Sequence, residues 1–498
     1  MDATLDKNQC SRARISRDTR FDGLFFTAVK TTGIYCRPIC PARSPKEENV
    51  DYFMTAAAAS EAGFRPCLRC RPESAPGTPA WRGTETTVSR ALTMIRGGAL
   101  NEGSVEDMAE RLGITGRYLR QLFARHLGTS PLAFAQTQRF HFAKKLLNET
   151  DLSITQIALA SGFGSIRRFN HVFKQAYGKP PRAYQSKQGA LAKESAAIST
   201  CRLKLNYRPP YDWPSVLSFF RTRCIPSVER VGERSYQRSF RLGECRGHLV
   251  ISHLEEEHAF DLVVQLDKTE ALMAVVERVR RLLDLDANTA AISQTLGEDP
   301  ILAPLVARFP GTRLPGAWDP FEFAVRAVLG QQISVKAATT IAGRIARGFG
   351  PKIDEAVYTL DRFFPTAQEM QGSDLSGLGL TRKRCETLTS LVDAVASGAV
   401  RLEVGQHLEQ FTQTLCLLPG IGPWTAHYIA MRGLSEPDAF PESDLGIIKA
   451  LSKPPERISP RKVRKLAEAW QPWRAYAAMY LWKSLAEPAD KTLEELEK

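Results

Sequence analysis

Apolar positions recur at helical spacing along most of this chain; the exceptions are one central stretch and two short gaps. Residues 104–109 read as a short helix behind a serine cap. Gly113 then turns the chain, and 115–125 form a second helix that leaves Arg117, Arg120 and Arg125 outside. The same phrase returns as a helix at 153–160, a turn at 161–164 and a helix at 165–176 carrying Arg167, Arg168 and Lys174. One long helix over about 131–147 joins the two units. From Leu203 the period drops to two, with strands expected at 236–240, 248–253 and 260–266, followed by a helix at 271–283. From Leu314 the pattern is helical again, with helices expected at 321–329, 424–432 and 445–451. Residues 72–85 and 186–201, small and polar without apolar periodicity, read as linkers.

A chain of 498 residues with 43% hydrophobic content is too long for one core, so the pattern predicts a multidomain, mainly α protein. The expected parts are a small α+β domain at 1–76, an all-α domain at 84–186, an α+β sheet domain at 203–312 and an all-α domain at 313–488. No apolar run approaches the roughly 20 residues of a membrane span. The first residues lack the build of a signal peptide, so a cytoplasmic location without membrane contact is expected. The net charge of +13 is uneven: residues 1–190 hold 28 Lys and Arg against 16 Asp and Glu, a surplus of 12, and the remainder holds 39 against 38, a surplus of 1. Long-range attraction to a polyanion therefore belongs to the front, and the rear must grip one through local geometry.

Of ten cysteines, only Cys36, Cys40, Cys67 and Cys70 are clustered. Two close pairs of this kind bring four thiolates to one tetrahedral Zn2+, and disulfides are not expected in a reducing compartment. Spacing alone favours a plain zinc ribbon whose sulfurs are inert. Zinc also keeps a thiolate deprotonated and nucleophilic at neutral pH. Cys201, Cys224, Cys245 and Cys385 are expected to be buried apolar fillers.

The densest chemistry lies at 415–451. Pro419-Gly420-Ile421-Gly422 sets two glycines one residue apart, so the backbone turns tightly and a partner approaches it without Cβ atoms in the way. Pro423 suits the first turn of the helix that follows, which Gly433 closes. Free N–H groups and the positive dipole end then face the turn, where a nucleic-acid phosphate fits. Gly420, Gly422 and Thr425 are the expected DNA contacts there. Asp444 opens the next helix, and taken alone it reads as an N-cap.

LPGIGPWTAHY at 418–428 followed by Asp444, with RPPYDWP at 208–214, LGQQISV at 329–335 and WQPWRAYAAMYLW at 470–482, resembles the helix-hairpin-helix DNA glycosylases of the AlkA type over roughly 205–488. The resemblance implies a DNA-3-methyladenine glycosylase, with Asp444 as the catalytic aspartate. A base inside a duplex is out of reach and must be flipped, at a few kcal/mol. Trp424, Tyr428 and Trp482 are the aromatics expected around the pocket, where a ring face attracts a cationic alkylated purine by roughly 0.5 to 2 kcal/mol. The departing base leaves a sugar cation, which a fixed carboxylate stabilises. Gln332 stands where AlkA presents a leucine to fill the gap left by the flipped base. Trp424 takes the place of the lysine of strand-cutting relatives, so no Schiff base is expected. The iron-sulfur loop of some relatives is missing, and Ser443 replaces a second carboxylate of AlkA, with Glu442 one residue further away.

TTGIYCRPICPAR at 31–43 and AGFRPCLRCRPE at 62–73 are similar to the zinc domain of the Ada family of methylation-response regulators, and IALASGFGSIRRFNHVFKQAYGKPPRAY at 157–184 resembles the AraC type of helix-turn-helix domain. The first resemblance implies that Cys36 accepts a methyl group irreversibly from a DNA methylphosphotriester. The PCHR motif of the second Ada methyltransferase does not occur in the chain. Methylating one of four thiolates removes a negative charge, so tighter DNA binding is expected, with Arg37, Arg43, Arg65, Arg69 and Arg71 nearby. Each second helix of the repeated pairs should enter a major groove. The implied whole is a bacterial repair enzyme and transcription activator, nucleoid-associated and monomeric, with damaged and promoter DNA and RNA polymerase as partners. The competing reading is a methylation-sensing activator whose rear half binds DNA without catalysis.

Overall fold

The computed structural model describes residues 6–72, 75, 84–185, 198–357, 360–452 and 457–486. Most of both expected linkers, at 73–74, 76–83 and 186–197, lies outside the described residues. At the front, four strands lie in the order Val50–Phe53, Phe26–Val29, Ile34–Cys36, Arg65–Pro66, packed with helices Lys7–Ser16 and Ala56–Glu61. Ile34–Cys36 and Arg65–Pro66 run parallel with Tyr35 opposite Pro66, so Cys36 and Cys67 each follow a paired residue and emerge at the same end.

Helices Val105–Arg111 and Gly116–Leu127, and again Ile154–Ala160 and Ile166–Tyr177, form the two expected pairs around Pro131–Glu149. Ser104, Thr115, Ser130, Ser153 and Ser165 each accept a backbone N–H from the first turn they open, a cap worth about 1 kcal/mol. Leu119, Phe123 and Leu127 face inward on one second helix, and Phe169, Phe173 and Tyr177 on the other, which leaves the basic residues outside.

The central sheet is antiparallel, in the order Ser199–Asn206, Ala259–Leu266, Cys245–Leu254, Ser235–Leu242, Glu229–Val231. Its first strand starts inside the stretch read as linker, because Cys201, Leu203 and Leu205 alternate into the core while small polar residues face out. Phe140 of the joining helix and Phe169 and Phe173 of the second helix-turn-helix unit share one apolar cluster with Leu203, Phe260 and Trp213 of the sheet domain.

Beyond the sheet, helices including Pro320–Leu329, Val335–Phe349, Arg382–Ala396, Pro423–Gly433, Leu445–Leu451 and Arg474–Ala486 enclose a separate large core. The expectation of an all-α domain here is corrected by a two-stranded ribbon, Lys352–Val357 with Leu360–Arg362. Cys201 and Cys245 are buried as apolar fillers, whereas Cys224 and Cys385 are only half-buried. Among the described residues no helix is long and apolar enough to cross a membrane.

Candidate active site and metal centre

Gly420 adopts φ +80°, and a Cβ built there would lie 2.0 Å from Thr387 Oγ1, so this turn admits only glycine. Gly422 is the N-cap of Pro423–Gly433 and has no side chain to cap it. The first N–H groups of that helix therefore lack intrahelical acceptors, as phosphate binding requires. Gln331 Nε2 donates to Gly420 O and to Thr425 Oγ1, both at 3.0 Å, and clips the hairpin to the turn that follows Pro320–Leu329. On that turn Gln332 is exposed at φ 56°, a conformation the expected wedge shares with few side chains. Thr425 is 3% exposed and its hydroxyl accepts from Gln331 Nε2, so its side chain braces the hairpin from inside. Gln331 carried no sequence signal beyond its place beside Gln332.

Asp444 caps Leu445–Leu451 with Oδ1, which accepts Ile447 N–H at 3.0 Å, and the same oxygen accepts Trp482 Nε1–H at 2.8 Å. Its Oδ2 accepts Trp424 Nε1–H at 3.0 Å. The N-cap reading and the site reading therefore hold together: three donors fix a half-buried carboxylate at a recess of about 790 Å3. Trp424 stacks on Tyr428 with ring centroids 5.2 Å apart, and Trp482 meets Tyr428 edge-on at 6.2 Å, so all three expected aromatics lie together beside Asp444. Gly446 was missed: a Cβ there would lie 3.0 Å from Asp444 Oδ1 and 3.1 Å from Trp482 Cδ1, and a glycine inside a short helix was the available signal. Ser443 is exposed and Glu442 pairs with Arg464, so neither supplies a second carboxylate to the recess.

Sequence reasoning also missed the basic groups of the recess. Arg432 is 1% exposed, and burial pushes its guanidinium down to about 10. Arg223 also lines the recess. An arginine in the last turn of an apolar helix was the faint signal for Arg432; Arg223 had none.

At the front, the sulfurs of Cys36, Cys40, Cys67 and Cys70 all lie within 4.8 Å of one another. A tetrahedral Zn–S4 centre needs sulfurs about 3.8 Å apart, given Zn–S bonds of about 2.3 Å, so the donor set and spacing fit one zinc. Four sulfurs this close cannot all be thiolates without a cation among them. Cys67 and Cys70 are buried and accept the backbone N–H groups of Arg69 and Arg37 at 3.4 and 3.3 Å, whereas Cys36 and Cys40 are half-buried. Arg37 is not a free cation beside the site: it is 8% exposed and donates to Asp22. Arg43, Arg65, Arg69 and Arg71 are exposed. On the helix-turn-helix units Arg117, Arg167 and Arg168 are exposed, and Arg120 is exposed but paired with Glu106 at 2.6 Å.

A glycine hairpin beside an aromatic recess, with a carboxylate held by two indoles at its side, defines a helix-hairpin-helix enzyme of nucleic acid, here joined to a thiolate metal centre and paired helix-turn-helix units. Family descriptions match in three segments: "Metal binding domain of Ada" at 9–73, "Helix-turn-helix domain" at 108–187 and "AlkA N-terminal domain" at 202–319. A protein of Mycobacterium tuberculosis described as "Probable bifunctional transcriptional activator/DNA repair enzyme AlkA" is 40% identical over 98% of this chain and 98% of its own length. "DNA-3-methyladenine glycosylase 2" of Escherichia coli is 35% identical over 56% of this chain and 95% of its own length. "Bifunctional transcriptional activator/DNA repair enzyme Ada" of the same organism is 34% identical over 32% of this chain and 43% of its own length. The chain belongs to the family of bifunctional transcriptional activator/DNA repair enzymes AlkA, and its four-cysteine cluster is a structural zinc site.

Proposed function

We propose that this protein releases alkylated purines from DNA by hydrolysing their N-glycosidic bond, and that it takes up methyl groups from the DNA backbone to become a transcription activator. The carrying observation is Asp444, whose two carboxylate oxygens are oriented by Trp482 and Trp424 beside the aromatic recess. A flipped purine enters between those rings; the C1′–N bond breaks with its electron pair going to the base; Asp444 stabilises the sugar cation and orients the water that adds to C1′. Gln332 takes the place of the flipped base in the stack, and Gly420, Gly422 and the first N–H groups of Pro423–Gly433 hold the phosphate backbone.

At the front, Cys36 is the methyl acceptor. It is half-buried, whereas Cys67 and Cys70 are buried and their sulfurs accept backbone N–H groups. Its thiolate attacks the methyl carbon, the S–C bond forms, the C–O bond breaks, and the phosphate leaves as an ordinary diester; zinc supplies the thiolate character that this needs. Arg43, Arg117, Arg120, Arg167 and Arg168 contact DNA. The functional division is 1–76, 84–186, 203–312 and 313–488, and the protein acts as a cytoplasmic, nucleoid-associated monomer that engages RNA polymerase at promoters. Incubation with duplex DNA carrying 3-methyladenine should liberate the free base without cutting the strand. Incubation with methylphosphotriester DNA should add one methyl per chain, on Cys36 by mass spectrometry. Strand cleavage, or a methyl found on another cysteine, contradicts the respective half.

A further inference from the structure

Residues 401–407 lead into Leu408–Cys416, the first helix of the hairpin. His407 stands at the cap position of that helix, and its side chain makes no bond to the first turn. A nine-residue helix with an uncapped start depends on its surroundings to fix that end. Within the segment the Gln406 amide reaches back to Arg401 O and, at 3.2 Å, to Glu403 O. A second hold comes from the regulator, across 315 and 292 residues of sequence: Arg90 of Thr84–Arg96 donates its Nε–H to Gly405 O, and Arg111, the last residue of Val105–Arg111, pairs with Glu403 at 2.5 Å. Gly405 lies directly against Thr84–Arg96, since a Cβ built there would stand 3.4 Å from both Arg90 O and Met94 Cγ, at φ +92°. Burial pulls the Arg90 guanidinium below its ordinary range, as befits a group committed to the junction.

Leu408–Cys416 packs in turn on Pro423–Gly433, with Phe411 and Leu415 in the core, and its far end leads into the turn at Gly420 and Gly422. Nine residues at 1.5 Å each put the end held by the regulator about 13.5 Å from the end that opens the turn. The half of the chain with a charge surplus of 12 therefore holds the base of the motif by which the nearly neutral half grips DNA.

We propose that Arg90 and Arg111 are positioning residues of base excision: by fixing residues 403–405 they hold the first helix of the hairpin, so the regulator half is part of the DNA grip of the glycosylase half. This rests on the glycosylase reading above. The contact acts on the binding of lesion DNA, while bond breaking stays with Asp444.

The test is single-turnover release of 3-methyladenine by the full chain over a range of enzyme concentrations. The half-saturating concentration reports the grip, and the plateau rate reports the chemistry. The Arg111 and Glu403 side chains are 41% and 44% exposed, so their charges can be exchanged without opening a core. Arg111→Glu and Glu403→Arg each set like charges face to face. Each should raise the half-saturating concentration by about fivefold at an unchanged plateau, the effect narrowing as salt screens the pair. The first variant lowers the net charge and the second raises it, so a general charge effect would move them in opposite directions. The double variant restores an opposite pair and should return half-saturation close to the wild-type value. A contact that only stabilises the fold would lower the thermal midpoint of the single variants and leave half-saturation as it was. Wild-type half-saturation in both single variants, shifts of opposite sign, a fall in the plateau, or no recovery in the double variant overturns the inference and leaves the glycosylase reading standing. Release of no base by the wild type overturns both.

Discussion

In the proposed reaction Asp444 serves fold and chemistry at once. Its Oδ1 closes the first turn of Leu445–Leu451, and both oxygens are held by indole N–H groups from two other helices. Asn caps a helix as well as Asp does, but its amide offers one acceptor oxygen to two indole donors, so Asp444→Asn should lower the thermal midpoint only modestly while removing the negative charge from the recess. Trp482→Phe keeps the edge contact with Tyr428 but deletes one donor. The freed carboxylate should lower kcat by on the order of tenfold to a hundredfold with little change in KM, as expected when a reacting group loses its orientation. Equal losses in kcat and in folding stability would mean that Trp482 only fills space. The residues legible in the sequence were those whose role is local or carried by a motif: the hydroxyl caps, Gly420, Asp444 and the clustered cysteines. Arg432 and Gln331 were not, because the burial of one and the clip made by the other depend on elements far away in sequence.

At the scale of elements, the hairpin turn is set by a close approach between backbone and side chain. Gly420→Ala places a Cβ 2.0 Å from Thr387 Oγ1 at φ +80°, and should lower stability by about 1 to 3 kcal/mol in urea titration. Adding Thr387→Ala should return part of the loss; no recovery would locate the strain in the backbone alone. The helix pairs were read nearly to the residue, since each begins at a capping hydroxyl and repeats one apolar stripe. The start of the strand Ser199–Asn206 was not read, because the small polar residues that face out before Leu203 resemble a linker, and the ribbon Lys352–Val357 with Leu360–Arg362 was not read, because so short a pair carries too few positions to establish a period. On the recognition helix Ile166–Tyr177, Arg167→Ala with Arg168→Ala should weaken DNA binding and flatten its salt dependence, by roughly 0.9 in slope for each phosphate no longer neutralised. An unchanged slope would remove these two residues from the DNA interface.

Over the whole molecule, the front and rear are joined through buried polar contacts. Arg208, 1% exposed, donates to Asp22 O at 3.0 Å, and the Asp22 carboxylate holds Arg37 next to Cys36. Methylating Cys36 removes one negative charge from a surface bearing Arg43, Arg65, Arg69 and Arg71, so the methylated protein should bind promoter DNA more tightly across a salt titration; equal affinities would contradict the charge account. Glu436, which feels the charge of Arg90 across the regulator–glycosylase boundary, is held up at about 7 by burial. A carboxyl raised above its ordinary value of about 4.3 stabilises the fold fully below that pH, and the contribution is lost as pH rises through about 7. Glu436→Gln should therefore raise the thermal midpoint at pH 8 and have little effect at pH 5, and the opposite pattern would show that the ionised group is the stabilising form.

The account rests on a fixed carboxylate opposite a sugar that turns cationic as a damaged base leaves. Its most direct test is single-turnover release of 3-methyladenine from duplex DNA by the wild-type protein and by Asp444→Asn, with affinity for an abasic duplex measured beside it. The predicted result is release by the wild type, slowed by about a hundredfold or more in the variant, at equal abasic-site affinity. Release at the same rate by both proteins would contradict it.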